Sequence, residues 1–171
     1  MSDILYEDQY FKVVREEASL PDGRTVTRSR IIRDDAVHII AFKDDKTVLL
    51  LREYRPLYGE WVWMLPSGLV DKEKDIEVAA QRELREETGY RAENIEHFFS
   101  ANQTEYFSRT NHVFIASDLH EDPLKGDDDE VIEVHEVPLK EALEGVSENR
   151  YKRHMITGYA LLRYGMRIQN S

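Results

Sequence analysis

Between positions 82 and 87 the chain reads Arg-Glu-Leu-Arg-Glu-Glu. On a helix turning about 100° per residue, Glu83, Glu86 and Glu87 fall within about one third of the circumference. Ile76, Ala79, Ala80 and Leu84 lie on or beside that arc, whereas Glu77, Gln81, Arg85 and Thr88 occupy the opposite one. A Glu-rich helix usually exposes its acids to water and pairs them with cations one turn away. Here the acids share the apolar face, so they must repel one another and lose hydration unless a cation joins them. A hard divalent ion that prefers oxygen ligands, Mg²⁺ or Mn²⁺, meets that need.

The flanking residues set the limits of this helix. Asp75 suits an N-cap and Gly89 a left-handed stop, so a helix is expected over 75–88. Upstream, a strand over 61–65 ends at Pro66-Ser67-Gly68, and residues 36–42 and 48–51 read as a buried strand pair around the Asp44-Asp45-Lys46 turn. Further upstream, extended segments 6–17 and 25–33 flank the turn signal Pro21-Asp22-Gly23, which predicts a hairpin. Downstream, strands are expected over 95–101, 112–117 and 131–137, the last preceded by an acidic loop over 121–130. A short helix starts at Pro138, and a final one covers about 151–167. Strands mix with helices without regular βαβ alternation, so the fold class is α/β, a sandwich on a mixed sheet. The division expected is an N-terminal extended hairpin, 1–33, and a main domain, 34–171.

With 171 residues, 41% of them hydrophobic, one folded unit is the natural size. The net charge of -11 opposes binding to nucleic acid or anionic membrane, while a local basic pocket remains compatible with a small phosphate ester. Cysteine is absent, which removes disulfides, thiolate metal sites and cysteine nucleophiles. The first residues, MSDILYEDQYF, lack the basic start of a secretory signal, and no apolar run nears the ~20 residues of a membrane span. A cytoplasmic protein is expected.

The stretch from Gly68 to Tyr90 resembles the Nudix box: Gly, five residues, Glu, seven residues, then Arg-Glu-apolar-any-Glu-Glu-any-Gly-apolar. Its fixed positions match except one, Lys74, which stands where the family has its first Glu; Glu73 or Glu77 is positioned to substitute. The resemblance implies hydrolysis of a nucleoside diphosphate linked to a further group. Glu83 and Glu87 are then direct metal ligands, Glu86 is direct or water-mediated, and the Ser67 carbonyl completes the set. The run from Asp128 to Val134 resembles the acidic loop and strand of ADP-ribose pyrophosphatases, with Glu130 as a further metal contact and Asp128 as a water-activating base; a solvated acidic loop is the competing reading. Arg52-Glu53-Tyr54-Arg55-Pro56 resembles the arginine-containing strand end of that branch. Arg55, then Arg52, are the candidate phosphate contacts, and surface pairing with Glu53 or Glu60 is the ordinary alternative. Trp61 and Trp63 share a face, and either is a candidate stacking partner for a base; packing in the core is the ordinary alternative. His38 and His112 sit in strand patterns and are expected to be packed.

Residues 59–68 and 114–119 also resemble the ADP-ribose and nucleotide-sugar branch, although Gln103-Thr104-Glu105 replaces its usual Ser-Pro-Gly turn. In that branch the N-terminal hairpin packs across a two-fold interface, which implies a homodimer. ADP-ribose, cleaved to AMP and ribose 5-phosphate, is the leading substrate expected. UDP- and GDP-sugars are the alternatives, and a non-catalytic nucleotide-binding domain is the competing class.

Overall fold

The nearly unbroken apolar runs around residues 40 and 50 form the centre of the sheet in the computed structural model, which describes residues 2–126 and 130–170. Strand β4 (Ala36–Asp44) pairs antiparallel with β5 (Thr47–Arg55), and Val37, Ile39, Ile40, Ala41 and Val48 through Leu51 are wholly buried. A strand covered on both faces needs no polar alternation, which explains the continuous hydrophobic sequence. Short strands β6 (Glu60–Met64) and β7 (Ser67–Leu69) pair with β5 and β4 respectively.

Helix α1 (Ile76–Thr88) has the expected ends. The Asp75 carboxylate accepts from the Glu77 N–H at 2.9 Å, and Gly89 takes φ 78° so that its N–H reaches the Arg85 carbonyl. After it, β8 (Tyr90–Thr104) and β9 (Phe107–Glu121) make a hairpin of two 15-residue strands. Both are longer than the apolar periodicity indicates, because exposed polar residues such as Asn102–Thr104 and His120–Glu121 extend them through backbone pairing alone. Gln103-Thr104-Glu105 lies at this hairpin's tip, where Thr104 Oγ1 accepts the Phe107 N–H. Strand β9 runs parallel to β4, so the sheet is mixed.

The N-terminal hairpin forms as β2 (Lys12–Ser19) and β3 (Thr25–Ile32), with Gly23 at φ 85° in the turn. The expected first segment is broken, however. Asp8 accepts the N–H groups of Tyr10 and Phe11 at 2.8 and 3.0 Å, and this local turn reverses the chain into an extra strand, β1 (Ser2–Glu7). Strand β3 joins the rest of the sheet through β9.

Strand β10 (Ile132–Pro138) closes the far side of β5. Helices α2 (Leu139–Ser147) and α3 (Met155–Gln169) cover one face of the sheet, and α1 covers the other. One core therefore joins Ile40, Leu50 and Val113 to Ala142 and Leu161, while a second joins Ile39, Leu49 and Phe114 to Ala80 and Leu84. This is the mixed-sheet α/β/α sandwich read from the sequence. Helix α3 starts four residues later than its apolar pattern indicates, since Tyr151 turns inward and donates its hydroxyl to the Ala142 carbonyl.

At the start of α3, Thr157 Oγ1 takes the Leu65 N–H at 2.9 Å and lies 2.7 Å from His154 Nδ1. The His154 ring packs 5.4 Å from that of His38, whose Nε2 lies 3.0 Å from Asn111 Oδ1. His38 is thus the packed histidine expected. This buried polar joint ties the end of β6 to α3 and fixes the backbone that leads to Ser67.

Candidate active site

Ser67 and Gly68 pass over the C-terminal half of α1. The Ser67 N–H donates to Glu87 Oε2 at 2.6 Å. A Cβ added at Gly68 would overlap the Glu83 carboxylate, so glycine is needed there for close approach and not for an unusual φ. The box helix thereby presents Glu83 and Glu87 to a backbone edge, facing inward as the wheel requires; Glu83 is only 8% exposed.

Arg82 organises the surrounding loop. Its Nη1 lies 2.7 Å from both Glu83 and Glu86, and its Nε lies 2.9 Å from Glu73. Its Nη2 donates to the Leu69 carbonyl at 3.0 Å and lies 3.4 Å from Asp71. Glu73 therefore takes the place that Lys74 vacates, and Lys74 points to solvent. Burial alone would lower the Arg82 pKa, but Glu83, Glu73 and Glu86 together outweigh it and raise it.

Electrostatically the acids are strained in the way expected of a cation site. Burial pushes Glu83 up to about 7 against the pull of Arg82, with Glu86 and Glu130 adding to the rise. Glu87 is raised well above the usual carboxylate range, first by burial, despite the Ser67 N–H; Glu83, Glu130 and Glu53 raise it further. Among the described residues, no three acidic or histidine side chains are drawn together tightly enough to form a finished ligand set as they stand. Arg82 spans Glu83 and Glu86, and Ser67 engages Glu87. The oxygen-only donors, raised carboxyls and side-chain-free Gly68 fit a hard divalent ion.

The other expected residues divide between the two faces of β5. Arg55 lies with Glu53 and Met64, its Nη2 2.6 Å from Glu53 and 3.6 Å from Met64 Sδ. Arg52 and Trp61 belong to the opposite face. The Arg52 guanidinium sits 5.3 Å from the Trp61 ring and 5.6 Å from that of Trp63, and it pairs with Glu133 at 3.2 Å. Arg52 and Trp61 are therefore not brought to the carboxylates. Glu130 is close enough electrostatically to raise Glu53, Glu83 and Glu87. Asp128 falls outside the described residues.

One acid at this site does not stand out in the sequence. Glu53 is 3% exposed, and burial pushes it up to about 7 against Arg55, with Glu130 adding to the rise. Flanked by Arg52 and Arg55, it reads as their surface partner. The available signal was alternation: Leu49, Leu51 and Glu53 share one strand face.

The NUDIX domain pattern matches residues 32–156. A "methanol dehydrogenase activator" of Bacillus methanolicus is 30% identical over 149 residues, covering 85% of this chain and 80% of the relative. An "ADP-ribose pyrophosphatase" of Bacillus subtilis (strain 168) is 32% identical over 149 residues, with the same coverage. The crystal structure of an "ADP compounds hydrolase" superposes with a TM-score of 0.80 at 24% identity, covering 99% of this chain and 93% of that one, a likeness of fold. The chain belongs to the NUDIX family, and it is a hydrolase of that family, whose members generally use divalent metals.

Proposed function

We propose that the protein hydrolyses the diphosphate bond of a nucleoside diphosphate linked to a second group, with ADP-ribose, cleaved to AMP and ribose 5-phosphate, as the leading substrate. The observation that carries this reading is the inward placement of Glu83 and Glu87 against the Ser67-Gly68 backbone. The name of the B. subtilis relative supports the substrate class.

Glu83, Glu87 and the Ser67 carbonyl would hold Mg²⁺ or Mn²⁺, with Glu86 and Glu130 completing the shell. When bound, the ion neutralises the diphosphate oxygens and makes water a better nucleophile. Arg55 takes phosphate oxygens through the guanidinium edge not used by Glu53. Asp128 or Glu130 accepts the proton as water attacks phosphorus and the bridging P–O bond breaks. Arg82 keeps Glu83 and Glu86 oriented toward the site through its Nη1.

The division into an N-terminal unit, 1–33, and a catalytic unit, 34–171, belongs to the same reading. Ile4, Leu5, Tyr6 and Tyr10 are exposed on the N-terminal strands and their turn, which supports burial of this surface in a homodimer. No helix among the described residues is long and apolar enough to cross a membrane, in keeping with a cytoplasmic enzyme.

The test is Mg²⁺-dependent release of AMP from ADP-ribose, run beside UDP- and GDP-sugars. Glu87→Gln should abolish turnover while circular dichroism stays native. Binding of a panel nucleotide without turnover of any would replace this reading with a non-catalytic binding domain.

A further inference from the structure

Glu53 sits on the central strand with its carboxylate inside the protein, and Arg55 is the cation that meets it. The geometry is specific. Glu53 Oε2 lies 2.6 Å from Arg55 Nη2, yet the alignment leaves that oxygen without a hydrogen bond. Met64 Sδ supports the same Nη2 at 3.6 Å. Among the described residues, Arg55 meets its partners through Nη2 and not through Nε or Nη1, and the side chain is 41% exposed.

A buried carboxylate is costly to hold unless it serves a partner, and a leucine-like residue would continue the face made by Leu49 and Leu51. An arginine side chain otherwise samples many rotamers, and fixing one end of its planar fork aims the other. Glu130 and Glu87 lie close enough to influence Glu53, so the anchored guanidinium stands beside the carboxylate centre.

We propose that Glu53 is a positioning residue for substrate binding: its charge holds Arg55 Nη2 close as an ion pair, which leaves Nε and Nη1 for the diphosphate. This rests on the hydrolase reading above, and it assigns to Glu53 a role through Arg55, without contact to substrate.

The experiment is steady-state kinetics on ADP-ribose, or the best nucleotide sugar of the panel, with saturating Mg²⁺. Glu53→Gln, Arg55→Lys and the double variant are compared with wild type, and thermal unfolding is followed alongside. Glu53→Gln should raise KM about tenfold with kcat changed less than about twofold, the pattern of lost binding shared by ground and transition states. The double variant should be no worse than Arg55→Lys alone, because both changes remove one interaction. Additive losses, or an unchanged KM in a folded Glu53→Gln, would overturn the proposal. If that variant does not fold, Glu53→Asp decides, since withdrawing the charge by one methylene must raise KM in the same way and an unchanged KM refutes the role. A wild type that turns over no substrate sinks the hydrolase reading instead, so the two failures are separate.

Discussion

Arg82 Nε and the Glu73 carboxylate lie 2.9 Å apart, and that contact supplies, from one residue earlier, what the box pattern places at position 74. The loop before α1 is irregular, so a shift of one position does not reverse a side chain as it would in a strand. Lys74 is left in water and does not face Arg82.

Glu73→Gln should therefore weaken both the fold and turnover, by about 1.5–3 kcal/mol in unfolding free energy, the usual scale of a charge-assisted hydrogen bond. Lys74→Gln should change stability by less than about 0.5 kcal/mol. Urea unfolding of both variants checks this. Equal losses would show that Arg82 does not depend on Glu73.

Gly68→Ala tests the close approach at the site. The new methyl occupies the position of the Glu83 carboxylate, which must swing away from Arg82. Activity should fall at least about a hundredfold, a typical result of misplacing a catalytic group by about an ångström. Stability should change far less than activity, because the displaced group is the end of a side chain. Paired kcat and Tm measurements separate the two effects.

Glu83, raised from 4.5 to about 7, and Glu87, raised well above the usual carboxylate range by burial, must lose protons before they can hold a cation. Mg²⁺ affinity should rise from pH 6 to 8, with net proton release visible when calorimetry is repeated in buffers of different ionisation heat. Folding stability moves the other way. A carboxyl whose folded pKa is raised favours the folded state at low pH, and that contribution fades as pH climbs from 4.5 through about 7. Without Mg²⁺ the Tm should thus fall between pH 6.5 and 8, and added Mg²⁺ should restore it. A Tm indifferent to Mg²⁺ at pH 8 would remove the carboxylates from the metal role.

The histidine joint has the opposite sign. Burial lowers His38 from 6.5 to about 4 and His154 to about 3, so the unfolded chain takes these protons first. Their stabilisation is whole above 6.5 and is lost as pH falls toward 4, on the order of 3 kcal/mol for each. His154→Gln should flatten the acid limb of a stability profile. The raised carboxylates are common to both proteins, so the difference between the two profiles isolates the histidine. Parallel profiles would contradict this.

The sequence alone carried what repeats locally. The 3.6-residue period of residues 75–88, with Asp75 and Gly89 at its ends, determined helix α1 and turned Glu83 and Glu87 inward. The apolar runs at 36–42 and 48–51 determined the central strands, because burial on both faces leaves that direct a trace. The break at Asp8 was less visible, since one side chain capturing two N–H groups leaves an apparently extended segment. Alternation along β5 also separates Arg52 from Arg55 and puts Glu53 on the face of Leu49 and Leu51. Only the tertiary structure could decide which acid serves Arg82 and that this face of β5 lies beside the carboxylate helix. Those outcomes depend on how strands pair and how loops cross, and such long-range contacts have no period along the chain from which to be read.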